Sequence, residues 1–288
     1  MSDLTATIRA HARELLQSGR VDYVIGYETG SDGVNARPFF AYVPEDAERL
    51  VFDNTCTHNL ARYLTEPERK GHKVGLVVKA CDSRSLNVLL REQQFPRDVV
   101  AVGVACAGIV RRTREGGDGV SLQERCLACE QHVPVACDIL VGEPPEERLA
   151  PPSSARLAAL AQMSGGERER FWDAHFERCL RCYACRQTCP QCYCPECFAE
   201  TLDPEWVGIR IALSENRLFH TIRAFHQTGR CVGCNECERV CPVNIPLSLL
   251  NAKLRQEVWE AFQHRAGLRP DEPPPLETFR KDERVGEA

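Results

Sequence analysis

The sequence predicts an α/β amino-terminal domain with a partly parallel sheet, followed by an all-α, cysteine-rich domain. Three observations carry this prediction. Apolar β-branched runs alternate with amphipathic segments over residues 1–142, strand signals vanish beyond a proline-rich stretch at 143–155, and eleven of the seventeen cysteines lie between Cys179 and Cys241.

The elements follow in order. Leu4, Ile8, Leu15 and Leu16 suit one face of a helix, and Val21 to Gly26 reads as a strand closed by a glycine. Pro38 to Val43 is a second strand candidate, with a short helix from Glu45 to Leu50 after it. Lys73 to Val78 is apolar and β-branched, and Cys81-Asp82-Ser83 stands where a helix through Leu86, Leu89 and Leu90 needs a cap. Val99 to Val104 repeats the strand signal, and Ile139 to Val141 is a short apolar strand. Strand, helix and strand in that order argue for parallel pairing. Pro144-Pro145 and Pro151-Pro152-Ser153-Ser154 mark a linker at 143–155. Beyond it, Ala155 to Ala161, Glu167 to Phe176, Pro204 to Leu213, Arg217 to His226 and Leu247 to Phe262 read as helices of a domain over 156–269. Residues 270–288, rich in proline and charge, read as an extended tail.

The net charge of -5 supplies no basic field for nucleic acid or an anionic membrane. Met1 to Leu4 opens no leader pattern, and nowhere do about eighteen apolar residues follow one another. The expectation is a soluble cytoplasmic protein with no membrane span. In a reducing cytosol, crowded cysteines point to metal rather than disulfides.

Cys179, Cys182, Cys185 and Cys189-Pro190 are separated by two, two and three residues, and Cys231, Cys234, Cys237 and Cys241-Pro242 repeat that spacing. Three thiolates so spaced wrap three irons of a cubane from one tight loop, while the fourth, beside proline, leaves toward the other cluster. The predicted sets are therefore Cys179, Cys182, Cys185 and Cys241 for the first cluster, and Cys231, Cys234, Cys237 and Cys189 for the second. Structural zinc usually shows two pairs separated by a longer loop. The 41 residues between the motifs, Pro190 to Arg230, exceed what a compact ferredoxin needs and look helical. His220 and His226, six apart there, read as helix-surface or capping residues, with cluster tuning as the sharper alternative.

Cys192, Cys194 and Cys197 lie within six residues and lack a local fourth ligand. Iron–sulfur and zinc both fit them, and small buried thiols are the blander alternative. Cys81 and Cys106 follow two predicted parallel strands, so with Cys126 and Cys129 they are expected to form a third cluster at the carboxyl edge of the sheet, the alternative being that some of these thiols are only core residues. Cys56, in a polar loop, is the candidate that completes the Cys192, Cys194 and Cys197 set, whereas Cys137 precedes an apolar strand and is expected to be packed. Arg84, at a helix start, could meet a phosphate or carboxylate, or be solvated while Asp82 and Ser83 cap the helix.

Gly19-Arg20-Val21-Asp22, Ala36-Arg37-Pro38, Pro44-Glu45-Asp46-Ala47, Lys73 to Cys81, Gly103-Val104-Ala105-Cys106, Cys126-Leu127-Ala128-Cys129 and Cys137 to Gly142 resemble the beta subunits of deazaflavin-coenzyme-reducing hydrogenases and formate dehydrogenases. That resemblance implies a domain with FAD and a four-iron four-sulfur cluster, whose cysteines would fall on Cys81, Cys106, Cys126 and Cys129. Met1 to Gly19 lacks the glycine-rich segment of the FAD-binding members, and Asp82-Ser83-Arg84 stands where many members have glutamine. Fusion to Cys179 to Arg186, to Cys192-Tyr193-Cys194 and to Gly229-Arg230-Cys231 resembles dicluster proteins of heterodisulfide-reductase-like complexes, and the intervening helices resemble helical ferredoxin domains.

The leading functional expectation is an electron-relay subunit between a nicotinamide, formate or hydrogen module and a heterodisulfide-reductase-like flavin partner, not catalytic alone. The alternative is an FAD-containing subunit that acts directly on a deazaflavin or nicotinamide coenzyme. Neither GxGxxG after a strand nor GxxxxGK[ST] occurs to support nicotinamide or nucleotide binding by a familiar route.

Overall fold

The computed structural model describes residues 2–66, 68, 71–95, 98–111, 121–127, 129–145 and 155–275. A five-stranded sheet forms the first domain, in the order β2-β1-β3-β4-β7. Its strands are β1 (Tyr23–Thr29), β2 (Ala36–Ala41), β3 (Val74–Val78), β4 (Val99–Val104) and β7 (Ile139–Val141); a separate two-stranded ribbon pairs β5 (Val110–Arg111) with β6 (Ser121–Leu122). The β2 strand runs antiparallel to β1, and the other pairs are parallel.

The run Val74–Val78 is buried at every position, as a central parallel strand covered on both faces requires. Helix α1 (Ser2–Gln17) buries Ile8, Ala12 and Leu15 and packs on β1, β4 and β7, while α2 (Ala80–Arg91) packs on β3 and β4. The β1 strand continues through Gly26 to Thr29, because β2 pairs with it as far as Thr29 opposite Ala36. The short helix expected from Glu45 to Leu50 is a 3-10 helix at Pro44–Arg49.

The carboxy-terminal part contains α4 (Ala155–Gln162), α5 (Gly165–Phe176), α6 (Ala184–Gln187), α7 (Leu213–His226), α8 (Glu236–Arg239) and α9 (Leu247–Phe262); α3 (Glu124–Leu127) belongs to the first domain. Helix α5 packs on α7, α6 on α8, and both α7 and α8 on α9, around a core of Phe176, Val207, Phe219, Ile245 and Leu247. Among the described residues no helix is long and apolar enough to cross a membrane.

One expected helix is not formed. Pro204–Leu213 is a series of turns, and α7 starts only at Leu213. Side chains take the backbone groups a helix would use: Glu215 accepts the Gly208 amide at 2.6 Å, Glu205 accepts that of Ile209 at 3.0 Å, and the Arg181 guanidinium donates to the carbonyls of Gly208, Ile209 and Arg210. Most of the expected linker and tail, 146–154 and 276–288, lies outside the described residues.

The two parts are joined by polar contacts. Arg84 donates through Nε and Nη2 to the Ala266 carbonyl, and Asn87 donates to Gly267. Gly267 has φ +72°, and a Cβ there would lie 2.1 Å from the Arg84 carbonyl oxygen, so the approach needs glycine. Arg230 pairs with Glu92, and Tyr193 donates to the same carboxylate.

Candidate metal centres

The two cysteine motifs fold as copies of one another. The residue before the second cysteine of each is left-handed, Arg181 at φ 46° and Gly233 at φ 76°. The residue after it is left-handed too, Tyr183 at 57° and Asn235 at 54°. Each loop then enters a one-turn helix, α6 or α8, and the last cysteine's amide closes it, from Cys189 to the Arg186 carbonyl and from Cys241 to the Glu238 carbonyl, at 3.2 Å in both. Left-handed backbone turns successive amides and side chains inward, and non-glycine residues pay about 1–2 kcal/mol for it. Its appearance at matching places marks a shape demanded by the cysteines.

In the second motif, Cys231, Cys234 and Cys237 line a cavity of about 20 Å³ together with Cys189 from the first. Burial pushes Cys234 up to about 11 and raises Cys237 further. Burial also raises Cys179, with Cys241 and Cys182 near enough to add to the effect, and lifts Cys185 to about 11. Iron binds the thiolate, so a cluster at these sites would have to displace the protons that burial favours. Buried Arg223 lies between the sets and donates to the Cys185 carbonyl at 3.0 Å. Burial disfavours its charge, but Cys192, Cys189, Cys237 and Cys185 together hold its pKa well above the usual value.

Among the described residues, no group of three or more His, Cys, Asp or Glu is arranged to hold a single metal ion. A cubane places a different iron under each sulfur, so its ligands need not converge on one point.

The amino-terminal set shares another cavity. Cys81 in the first turn of α2, Cys106 after β4, Cys126 on α3 and Cys129 all line a space of about 570 Å³ between the two parts. Cys231 borders the same space, with Arg84, Arg255 and Trp259. The β3 and β4 strands are adjacent and parallel, so the cysteines that follow them emerge at one carboxyl edge. The Ile109 amide donates to the Cys126 sulfur at 3.3 Å. Arg125 reaches the other way, donating to the Cys234 carbonyl and to that of Thr57 at 2.8 Å.

The remaining thiols have separate surroundings. Cys56 lies in the first core, where its sulfur accepts the Asp53 amide at 3.3 Å and burial pushes its pKa up to about 12. Cys192 lies beside Cys189; a hydrogen bond with that thiol lowers the Cys192 pKa, aided by Arg223. Cys194 is exposed, and Cys197 is half-buried against the carboxy-terminal core. Cys137 packs on the first core beside Gly103. Arg84 is half-buried, and its guanidinium is bound to the Ala266 carbonyl at the edge of the large cavity.

His226 is exposed, as expected of a helix-surface residue. His220 is not at the surface. Only 2% of it is exposed, and its Nε2 is 3.2 Å from the Cys179 sulfur. The spacing of Asn216, Phe219, His220 and Arg223 carried that information, since positions i, i+3, i+4 and i+7 share one face and all four are buried. The buried pairs Lys79–Asp82 and Arg125–Glu236 also have no counterpart in the sequence reading.

A 4Fe-4S binding domain matches residues 225–246, spanning Cys231 to Cys241. The beta subunit of F420-dependent formate dehydrogenase from Methanocaldococcus jannaschii is 31% identical over 104 residues, 36% of this chain and 27% of that protein. The beta subunit of F420-dependent formate dehydrogenase 1 from Methanococcus maripaludis is 22% identical over 93% of this chain and 92% of its own length. A probable glycolate oxidase iron–sulfur subunit from Bacillus subtilis is 25% identical over 38% of the chain and 25% of that protein. The chain therefore spans about a quarter of two of these relatives and nearly all of the third. It carries a 4Fe-4S binding domain and is similar across almost its whole length to a formate dehydrogenase beta subunit.

Proposed function

We propose that the chain is the electron-relay subunit of a multi-subunit cytoplasmic oxidoreductase, with three four-iron four-sulfur clusters. The single observation that carries the reading is the cavity shared by Cys81, Cys106, Cys126, Cys129 and Cys231, where the cysteines of the first domain and the second motif border one space. Cys179, Cys182, Cys185 and Cys241 would hold the first cluster, Cys231, Cys234, Cys237 and Cys189 the second, and Cys81, Cys106, Cys126 and Cys129 the third. When bound, such clusters supply one-electron carriers whose potentials depend on hydrogen bonds to sulfur, burial and nearby charge. Arg125 and Arg223 contribute that charge, and Cys182, exposed, gives the first site a face toward solvent. The partners fitting this role are a formate, hydrogen or nicotinamide module on one side and a heterodisulfide-reductase-like flavin protein on the other.

A fourth site, iron–sulfur or zinc, would use Cys192, Cys194 and Cys197. Cys56 would have to leave its contact with the Asp53 amide to join them.

A second reading has the large cavity take FAD and act directly on a deazaflavin or nicotinamide coenzyme. Its volume falls in the range of organic-cofactor pockets, and Arg84 and Arg255 line it. Metal and acid-labile sulfide analysis of anaerobically purified protein tests both readings. About twelve irons per chain and no flavin are expected for the relay; a further four irons or one zinc would report the fourth site. Stoichiometric flavin released by acid would favour the second reading, and fewer than about four irons would overturn the relay.

A further inference from the structure

Helix α7 presents two side chains, one turn apart, to the same cysteine. Asn216 donates to the Cys179 carbonyl at 3.0 Å and to the Phe176 carbonyl at 2.9 Å. Four residues later, His220 brings Nε2 to 3.2 Å from the Cys179 sulfur. The imidazole is fixed from both sides, stacked on Phe176 at 4.8 Å with an interplanar angle of 11° and packed on Phe219 at 4.9 Å. Its Nδ1 is buried and has no hydrogen-bond partner.

These contacts select a tautomer. With its hydrogen on Nδ1, the ring would bury an unpaired donor and turn a bare nitrogen lone pair toward sulfur. With the hydrogen on Nε2, the donor meets the sulfur and only an acceptor is left unpaired, the less costly orphan in a protein interior.

We propose that His220 is a positioning residue for the first cluster: its Nε2–H donates to the Cys179 thiolate and raises the reduction potential at that site. This rests on the reading of Cys179 as a cluster ligand. Reduction adds negative charge that the ligand sulfurs share, so a donor fixed on one of them stabilises the reduced form more than the oxidised form. In the second set the side-chain contacts to sulfur are longer: Asn251 Nδ2 donates to Cys237 at 3.7 Å, and the Cys189 sulfur lies 3.6 Å from Gln227 Oε1 and 3.9 Å from Gln191 Oε1. The shorter bond therefore favours the electron at the site whose Cys182 is exposed.

An EPR-monitored redox titration of the full-length anaerobic protein tests this, comparing wild type with His220→Phe and His220→Gln. Phenylalanine keeps a ring on Phe176 but has no donor, whereas glutamine sets an amide N–H near the place of Nε2. The expected result is unchanged iron, a lower midpoint for one cluster in His220→Phe, and recovery of most of that shift in His220→Gln. The moving signal is assigned by its loss in Cys182→Ser. Retained iron with an unmoved midpoint overturns the proposal. If His220→Phe does not hold the cluster, wild-type protein with ¹⁵N-labelled histidine decides. A weak nitrogen coupling to the reduced first cluster by pulsed EPR supports the bond, and its absence overturns it. Fewer than about four irons in the wild type would instead overturn the cluster reading itself.

Discussion

Arg181 and Gly233 occupy the same place in the two motifs with the same left-handed backbone, yet for different reasons. At Gly233 a Cβ would lie 1.6 Å from the Arg255 guanidinium, so glycine admits a side chain from α9 against the loop. Arg181 tolerates the strain because its guanidinium gathers three carbonyls of residues 208–210. Arg181→Gly should therefore relieve about 1–2 kcal/mol of backbone strain but lose three hydrogen bonds from a charged donor, one part-buried and two exposed. The expected net effect is faster limited proteolysis within 204–212, with iron retained. Cleavage as slow as in wild type would show that the staple does not hold the segment. At this scale the cysteine spacing was legible, since the ligand pattern is local in sequence. The His220 contact was not, because it depends on α7 packing over a loop 41 residues away in the chain.

Elements whose stabilising groups lie in adjacent residues are legible in the sequence, and Pro204–Leu213, which resembles a helix, draws those groups from elsewhere. Helix α5 begins with a reciprocal cap: Ser164 Oγ accepts the Glu167 amide, and the Glu167 carboxylate accepts the Ser164 amide at 2.7 Å. Ser164→Ala should cost about 1 kcal/mol, seen as a lower Tm with iron unchanged. A variant as stable as wild type would mean the first turn is held by packing alone. Pro204–Leu213, by contrast, begins with proline and contains several apolar residues, so it resembles a helix in sequence. The residues that prevent it are Arg181, 27 positions upstream of Gly208, and the Glu215 carboxylate on the helix that follows. The parallel order of β3 and β4 was legible because the helix between them is short and strongly amphipathic. The antiparallel edge position of β2 was not, because the pairing of β1 with β3 leaves β2 on the outside.

On the scale of the whole molecule, the two parts are held together at a buried charge cluster that lies between the cysteine sets. Arg125 follows Glu124 on α3 and immediately precedes Cys126; its guanidinium reaches the Cys234 carbonyl and lies 3.5 Å from the Glu236 carboxylate. Side-chain exposure is 6% for Arg125 and 2% for Glu236, so neither charge is hydrated when the other is removed. Glu236 also pairs with Arg239 at 2.7 Å, and Arg239 Nη2 lies 3.2 Å from His58 Nδ1 in the first domain. Breaking one partner of a buried pair costs about 3–5 kcal/mol, whereas replacing both by apolar groups is often close to neutral. Arg125→Met should thus lower stability by about 3 kcal/mol and separate the unfolding of the two parts into distinct transitions. Glu236→Leu should destabilise at least as much, because it strands the buried Arg125 charge, whereas Arg125→Met leaves Glu236 paired with Arg239 at 2.7 Å. The double variant should be more stable than the sum of the single losses predicts, with a coupling of about 1–3 kcal/mol in a double-mutant cycle followed by chemical denaturation under anaerobic conditions. Additive losses would mean that Arg125 acts through the Cys234 and Thr57 carbonyls alone, and the junction would then be a set of backbone contacts rather than a buried ion pair.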